Sequence, residues 1–309
     1  MITRATSVTT LSAFFRDTYK PLRLLGRPRS TTEDFACCLG VYERLCGEPL
    51  ESVALFDVVR FMEALAETRS PSTVNKYRRY LLAILRFARR QNLLAADWLD
   101  DVPKMPVVRD EPEAYMLNDI EALLVASRNA TGSICDIPAC CWWPALLLTI
   151  YDTGSRISAA MSIRLADVDI ARRSIRVMGT SQKNRRGVVV AVSDQTTAAI
   201  AAICSTQREL LFPWPYDRNC RQWQTLTRHF RLIIDAAGLP QPKDPFHQLR
   251  RTCASYCEAG GVSAQQQMGH ASSTTTRAYL DPRIVRVPQA ADVLPRPALP
   301  NIDPQMQLF

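Results

Sequence analysis

The chain has 309 residues, of which 47% are hydrophobic and 22% charged, with a formal net charge of +8. This length and composition suit two ordinary domains with real cores and exclude a disordered chain. No apolar run is long enough to span a bilayer, and the start, Met1-Ile2-Thr3-Arg4, lacks the apolar stretch of a signal peptide, so an intracellular protein with no membrane partner is expected.

The N-terminal third is helical in pattern. Residues 10–19 carry Leu11, Phe14 and Phe15 on one side, and Ser30-Thr31-Thr32-Glu33 reads as a capped start leading into Phe35, Leu39, Tyr42 and Leu45. Residues 52–68 repeat the spacing, and Ser70-Pro71 opens a fourth helix through Val74, Tyr77, Leu81, Leu82, Ile84, Leu85 and Phe87. The other faces of this helix carry Lys76, Arg78, Arg79, Arg86, Arg89 and Arg90, with no acidic residue between Lys76 and Arg90. A solvated basic face would look similar; the absence of acids favours a helix laid against DNA phosphates.

Residues 97–114 break the periodicity with Pro103, Pro106 and Pro112, as an interdomain linker does. A second domain then begins near Tyr115, with helices expected over 119–127 and 138–151, a strand pair at 174–177 and 188–192, and helices again from 194 to 280. The expected division is a helical domain over 1–98, a linker over 99–114, a second domain over 115–280 and a proline-rich tail over 281–309. The tail holds Ile284, Val285, Val287, Val293, Leu294 and Leu299, an apolar set suited to docking on a neighbouring protomer. The 10 cysteines show neither paired C-x2-C knuckles nor Cys/His repeats; they read as reduced, mostly buried thiols, and neither a metal nor a cofactor is expected. There is no internal repeat and no phosphate-binding P-loop.

Four segments of the second domain carry chemistry. In Thr153-Gly154-Ser155-Arg156-Ile157-Ser158, an apolar helix ends and Arg156 opens the next, where a guanidinium can face a phosphate. Residues 179–187, between the two strands, form a basic hairpin tip with Lys183, Arg185 and Arg186. His247 and Arg250 stand three apart in Pro245-Phe246-His247-Gln248-Leu249-Arg250-Arg251-Thr252 and share one helix face, where an imidazole and a guanidinium can hold a phosphate and handle protons. Finally, Met268-Gly269-His270 leads through a Ser/Thr stretch to Tyr279, about two to three helical turns on. Each segment alone has an ordinary structural reading; their order along one chain does not.

In that order the chain closely resembles the tyrosine recombinase, or phage integrase, family. The family's first arginine motif matches 153–158, its hairpin lysine aligns with Lys183, its H-x-L-R-R-T box matches His247 to Thr252, and its L-G-H…Y box matches Met268 to Tyr279. The resemblance implies a mainly α protein: a helical, SAM-like core-binding domain followed by a mixed α/β, mostly helical catalytic domain with a small β-sheet. Because helices begin almost at once, a two-domain, Xer-like architecture without an arm-binding domain is expected. By the same resemblance, Tyr279 attacks the scissile phosphate, Arg156 and Arg250 clamp its oxygens, Lys183 protonates the leaving 5′-oxygen, His247 is the acid/base group and His270 supports the phosphate or orients the site. Lys76, Arg78, Arg79, Arg86, Arg89, Arg90, Arg185 and Arg186 are the expected DNA contacts. The implied partners are double-stranded DNA with inverted half-sites and further copies of the chain, a dimer per site and a tetramer per pair, in the cytoplasm at the nucleoid of a prokaryote or mobile element. One departure stands out: the acidic residue usual three after the first arginine is Ala159 here. A type IB topoisomerase-like activity, or a non-catalytic DNA-binding relative, are the alternatives.

Overall fold

The computed structural model describes residues 9–108, 111–177, 187–205, 207–216, 220–269, 272–286, 292, 294 and 295, the side chains of 220 and 221 excepted. The chain divides into two compact units, Met1–Arg109 and Asp110–Phe309.

The first unit is all helical. It comprises α1 (Leu11–Phe14), a wider π-type turn (Phe15–Tyr19), α2 (Lys20–Arg23), α3 (Arg29–Leu45), α4 (Leu55–Ala66) and α5 (Pro71–Arg90). The periodic apolar residues make its core: Leu11, Leu39, Tyr42, Phe61, Leu81, Leu82, Ile84 and Leu85 are all buried. Two helix starts differ from expectation. α3 begins at Arg29 after an extended Pro28, so Ser30 lies inside the helix and Glu33 pairs with Arg29 at 2.8 Å instead of closing a cap. α4 begins at Leu55, because the Asp57 carboxylate accepts the Ala54 amide at 2.9 Å; Ser52 ends a separate short turn (Leu50–Ser52).

The stretch expected as a linker over 99–114 begins packed against the first unit's core. Leu99 and Val102 are buried in the first unit, and the Asn75 side chain grips both backbone groups of Met105 at 2.9 and 3.0 Å. Apolar burial accounts for the difference: proline and charge mark 97–114 as irregular, but Leu99 and Val102 still seek the core.

The second unit contains α6 (Leu117–Arg128), a small hairpin of β1 (Ser133–Ile134) and β2 (Ile137–Pro138), and α7 (Ala139–Thr153). Next come α8 (Ile157–Ala160), β3 (Val168–Asp169), β4 (Ser174–Val177), β5 (Val188–Ala191) and α9 (Asp194–Ala201). It closes with α10 (Cys220–Ala236), α11 (Pro245–Ala259), α12 (Ala264–Gln267) and α13 (Ser273–Arg277). Strands β3, β4 and β5 form an antiparallel sheet in that order, with Ile175 opposite Val190 and Val177 opposite Val188. The mainly α architecture with small sheets is the one expected. Among the described residues, no helix is long and apolar enough to cross a membrane.

α7 is buried along nearly its whole length and is the hub of this unit. Near its start Trp142 packs against Trp143, Phe212 and Trp214, with ring centroids 4.9, 5.8 and 5.4 Å away. At its end the Asp152 carboxylate accepts the Ser193 amide at 2.7 Å and the Thr196 hydroxyl at 2.6 Å, tying the sheet's exit to the helix. The tail expected from 281 starts inside this unit: Asp281 is buried, and Ile284 and Val285 turn back to donate to its carbonyl at 3.0 and 2.9 Å. Leu294 is exposed, while Val287, Val293 and Leu299 lie outside the described residues.

The Trp142 indole N–H has no hydrogen-bond partner among the described residues, so its contribution is one of volume and contact. Trp142→Ala should therefore cost about 3–5 kcal/mol in denaturant unfolding, and Trp142→Phe distinctly less. An equal loss in the two variants would mean that the indole N–H is bonded after all.

Candidate active site

The first element of the site is the end of α7. Gly154 terminates it in the left-handed conformation at φ 60°. A side chain there is excluded twice, by that conformation and by space: a Cβ would lie 2.5 Å from Met268 Sδ and 3.0 Å from Cys253 Sγ. The Thr153 hydroxyl donates to the Thr149 carbonyl at 2.6 Å or to Ser155 Oγ at 2.9 Å, holding the turn. Arg156 follows in extended conformation, and its carbonyl accepts the Ala159 and Ala160 amides at 2.8 and 2.9 Å. The backbone beneath this half-buried arginine is thus fixed on both sides.

The second element is α11. Asp244 caps it by accepting the His247 amide at 3.1 Å, and Phe246 and Leu249 face the core. His247 and Arg250 lie one turn apart on the helix, as their spacing requires. Arg250 is only 3% exposed and donates to the carbonyls of Gly154 and Met268, the latter at 3.2 Å. Its guanidinium carbon lies 5.8 Å from the Tyr279 ring centroid, and the guanidinium hydrogen-bonds the Tyr279 phenol. The His247 ring stands 4.8 Å from that of Tyr279, tilted by 56°.

The third element carries Tyr279. Ser263 caps α12 and Ser272 caps α13, each through its hydroxyl. The chain then turns, with the Tyr279 amide donating to Thr276 at 2.8 Å. Tyr279 is therefore half-buried in the turn that closes α13, and it packs with Leu280 against Ala254, Ala264 and Met268.

The electrostatics favour an anion. Burial first, then the neighbouring Arg156 guanidinium, lowers the pKa of Arg250 to about 10, with Tyr279 opposing the shift; the group stays cationic at neutral pH. His247 is pushed below the ordinary histidine value, first by burial and then by Arg251, with Asp244 opposing and Arg250 and Arg156 adding to the fall. At neutral pH this imidazole is uncharged and free to accept a proton. Two arginines facing a phenol and a neutral imidazole can neutralise a phosphate and receive the phenol's proton.

The structure brings together Arg156, His247, Arg250 and Tyr279. Lys183, Arg185, Arg186 and His270 lie outside the described residues. The remaining histidine, His229, stands against Trp214 at 5.7 Å. Ala159 is buried and lines a small pocket with Val177, Val188 and Val190 beside Arg156 and Arg250, so an apolar contact between α8 and the sheet occupies this position. Sequence reasoning missed four supports: the Gly154 and Met268 carbonyls, Gln267, whose side chain donates to the Asp152 carbonyl at 2.9 Å, and Asp281. Backbone acceptors leave no side-chain signature; only the invasive glycine geometry of a T-G-x-R turn hints at the first.

The cations of α5 have divided surroundings. Arg78 donates to the Val102 carbonyl at 2.5 Å, Arg86 pairs with Asp100 at 2.7 Å, and Arg89 donates to the Ala96 carbonyl at 3.1 Å. These three hold the returning 96–102 segment. Lys76 pairs with Asp34 at 2.8 Å, Arg79 is exposed over the Tyr80 ring at 5.5 Å, and Arg90 lies over Phe87 at 5.6 Å. Lys76, Arg78 and Arg79 line an open groove of about 780 Å³ together with Ser72, Asn75 and Lys104.

Residues 117–284 match the phage integrase family. A tyrosine recombinase XerD of Listeria innocua is 22% identical over 292 residues, which cover 90% of this chain and 90% of that protein. A XerC-type relative of Pseudomonas syringae is 24% identical over 233 residues, 67% of this chain and 48% of that protein, so the chain spans about half of that relative's length. Among solved structures, a lambda integrase dimer bound to a COC′ core site superposes with TM-score 0.68 at 18% identity, covering 89% of this chain and 97% of that one. A lambda integrase tetramer bound to a Holliday junction gives TM-score 0.70 at 16% identity, covering 92% and 81%. At these identities the structural likeness is one of fold. The family match spans most of the second unit, including all four residues that the site brings together, and the chain belongs to the phage integrase family of tyrosine recombinases.

Proposed function

We propose that Tyr279 is the nucleophile of a site-specific DNA recombinase that cuts and rejoins strands through a 3′-phosphotyrosyl bond. The observation that carries this reading is the placement of the Tyr279 phenol against both the Arg250 guanidinium and the His247 ring. Free tyrosine has a pKa of about 10, so a phenol nucleophile needs a proton acceptor at the moment of attack. His247, held neutral, takes that proton as the phenolic oxygen bonds to phosphorus. Arg156 and Arg250 neutralise the charge gathering on the non-bridging oxygens, as His270 does by resemblance. Lys183 gives a proton to the departing 5′-oxygen. Attack of a free 5′-hydroxyl on the phosphotyrosine reverses the step and restores Tyr279. The ester linkage is kept throughout, so no nucleotide cofactor is required.

The partner is double-stranded DNA with inverted half-sites, bound by a dimer, with two such sites joined in a tetramer. Complexes of this kind in the lambda integrase structures support the assembly. Arg79, with Lys76 and Lys104 beside it, is the best-placed phosphate contact in the first unit, and Arg86, Arg89 and Arg90 are further, exposed candidates. Arg185 and Arg186 extend the basic surface from the hairpin. The setting that fits is the cytoplasm, at the nucleoid of a cell or mobile element.

Three measurements test the assignment, using a half-site duplex selected by the protein from a random-sequence pool. Tyr279→Phe should keep binding to that duplex and abolish covalent capture of a nicked form; an adduct surviving in the variant removes Tyr279 from the role. In NMR titration of the free protein, His247 should titrate below the ordinary histidine value, because burial and the neighbouring cations disfavour the imidazolium. The capture rate should accordingly fall as pH drops through that lowered pKa, where the base becomes protonated, and a His247 titrating at or above the ordinary value contradicts the base assignment. Lys183→Ala should slow cleavage by on the order of 10² to 10⁴, and a 5′-bridging phosphorothioate, whose leaving group needs no proton, should restore the rate. Rescue in Arg185→Ala but not in Lys183→Ala would move the acid to Arg185.

A further inference from the structure

The chain leaves Tyr279 through Leu280 into Asp281, which is 1% exposed. Its partners are unusual. Oδ2 accepts the Ala114 amide at 2.6 Å, and Oδ1 accepts the Arg283 amide at 2.8 Å. The Arg283 guanidinium closes on the same carboxylate, with Nε at 3.1 Å and Nη2 at 2.6 Å. Nη2 also donates to the Ala114 carbonyl at 2.9 Å, so both backbone groups of Ala114 are held. The Asp281 amide itself donates to Ser255 Oγ on α11 at 2.9 Å, and three residues earlier on that helix Thr252 Oγ1 accepts the Tyr115 amide at 2.8 Å.

We propose that Asp281 is a positioning residue for Tyr279: with Arg283 and Ala114 it forms a clasp that sets where the phenol stands relative to His247 and Arg250. The inference rests on the reading of Tyr279 as nucleophile. A buried carboxylate cannot shift without leaving a charge uncompensated, which costs far more than the loss of a surface contact. Burial alone would raise its pKa; the bonds from Arg283 and from the Ala114 and Arg283 amides outweigh burial and hold it below the ordinary aspartate value, so the clasp is charged. Two residues of chain reach about 7 Å at full extension, so fixing Asp281 narrowly confines the Tyr279 backbone. On the other side, the chain enters through α13, a five-residue helix that is exposed except at Thr276. The clasp is thus the firm side of the nucleophile's mooring, and α11 supplies both its anchor and the catalytic pair.

The test uses full-length protein and the selected half-site duplex in nicked form, under single-turnover conditions. Asp281→Ala and Arg283→Met should bind that duplex within about threefold of the parent and reach the same final amount of covalent adduct. Their rate constants should fall by on the order of 10- to 100-fold, the scale of a nucleophile displaced by about 1 Å. Asp281→Asn, which keeps an acceptor for the Ala114 amide, should lose less. A merely stabilising role gives the opposite signature, a smaller adduct yield with an unchanged rate for the folded remainder, and would overturn the proposal. So would rates within twofold of the parent in both variants. If Asp281→Ala does not fold, Arg283→Met decides, because that side chain is 53% exposed. Tyr279→Phe run alongside separates the two ideas: an adduct in that variant removes the nucleophile assignment, whereas no adduct there and parental rates in the clasp variants remove only the clasp.

Discussion

A single buried charge organises the catalytic unit. Arg250 is almost sealed from water, and a guanidinium so placed is tolerated only when acceptors surround it. The acceptors come from separate parts of the chain: the carbonyl of Gly154 at the end of α7, that of Met268 after α12, and the phenol of Tyr279. Satisfying one side chain therefore brings three segments to one place. Gly154 shows how tightly the arrangement is drawn. Its left-handed conformation ends α7 with the carbonyl on Arg250, while Met268 and Cys253 pack where a side chain would be. The same charge that steadies the protein stands beside the Arg156 guanidinium, so the site carries two positive groups.

Support for Arg156 is of another kind. Ala159 lines a small apolar pocket between α8 and the sheet together with Val177 and Val190. The turn is then held from below by Thr153 and by Asp152, whose carboxylate secures the start of α9 and whose carbonyl receives Gln267. Polar support for this turn comes from the helix end preceding the arginine.

What was legible in the sequence follows from what side chains can reveal. The helices of the first unit are written in a 3.6-residue apolar period, and Leu81, Leu82, Ile84 and Leu85 are buried as that period requires. His247 and Arg250 were legible because phosphate chemistry restricts residue types and a three-residue spacing puts them on one face. Helix starts were less so: Ser30 offers a cap, but Pro28 begins the helix earlier by its own backbone geometry. The roles of the α5 cations were hidden for a different reason. Arg78 and Arg89 reach backbone carbonyls, which every residue possesses, so a run of cations free of acids looks the same whether or not carbonyls engage it. Asp281 was hidden likewise, because its key partner is an amide; only an arginine two residues on gave any sign of a local ion pair.

The contact between Asp281 and Ala114 spans 167 residues. During synthesis the N-terminal side of this contact emerges long before the other. The first unit is complete in the chain by Arg109, so its helices can fold while the ribosome is still translating. The second unit cannot close in the same way, since Asp281 is made only after the whole of the segment between it and Ala114. A nascent chain can therefore acquire its helical first unit well before α11 and Tyr279 have been made, and one terminated before them keeps that unit without the residues that meet at Arg250.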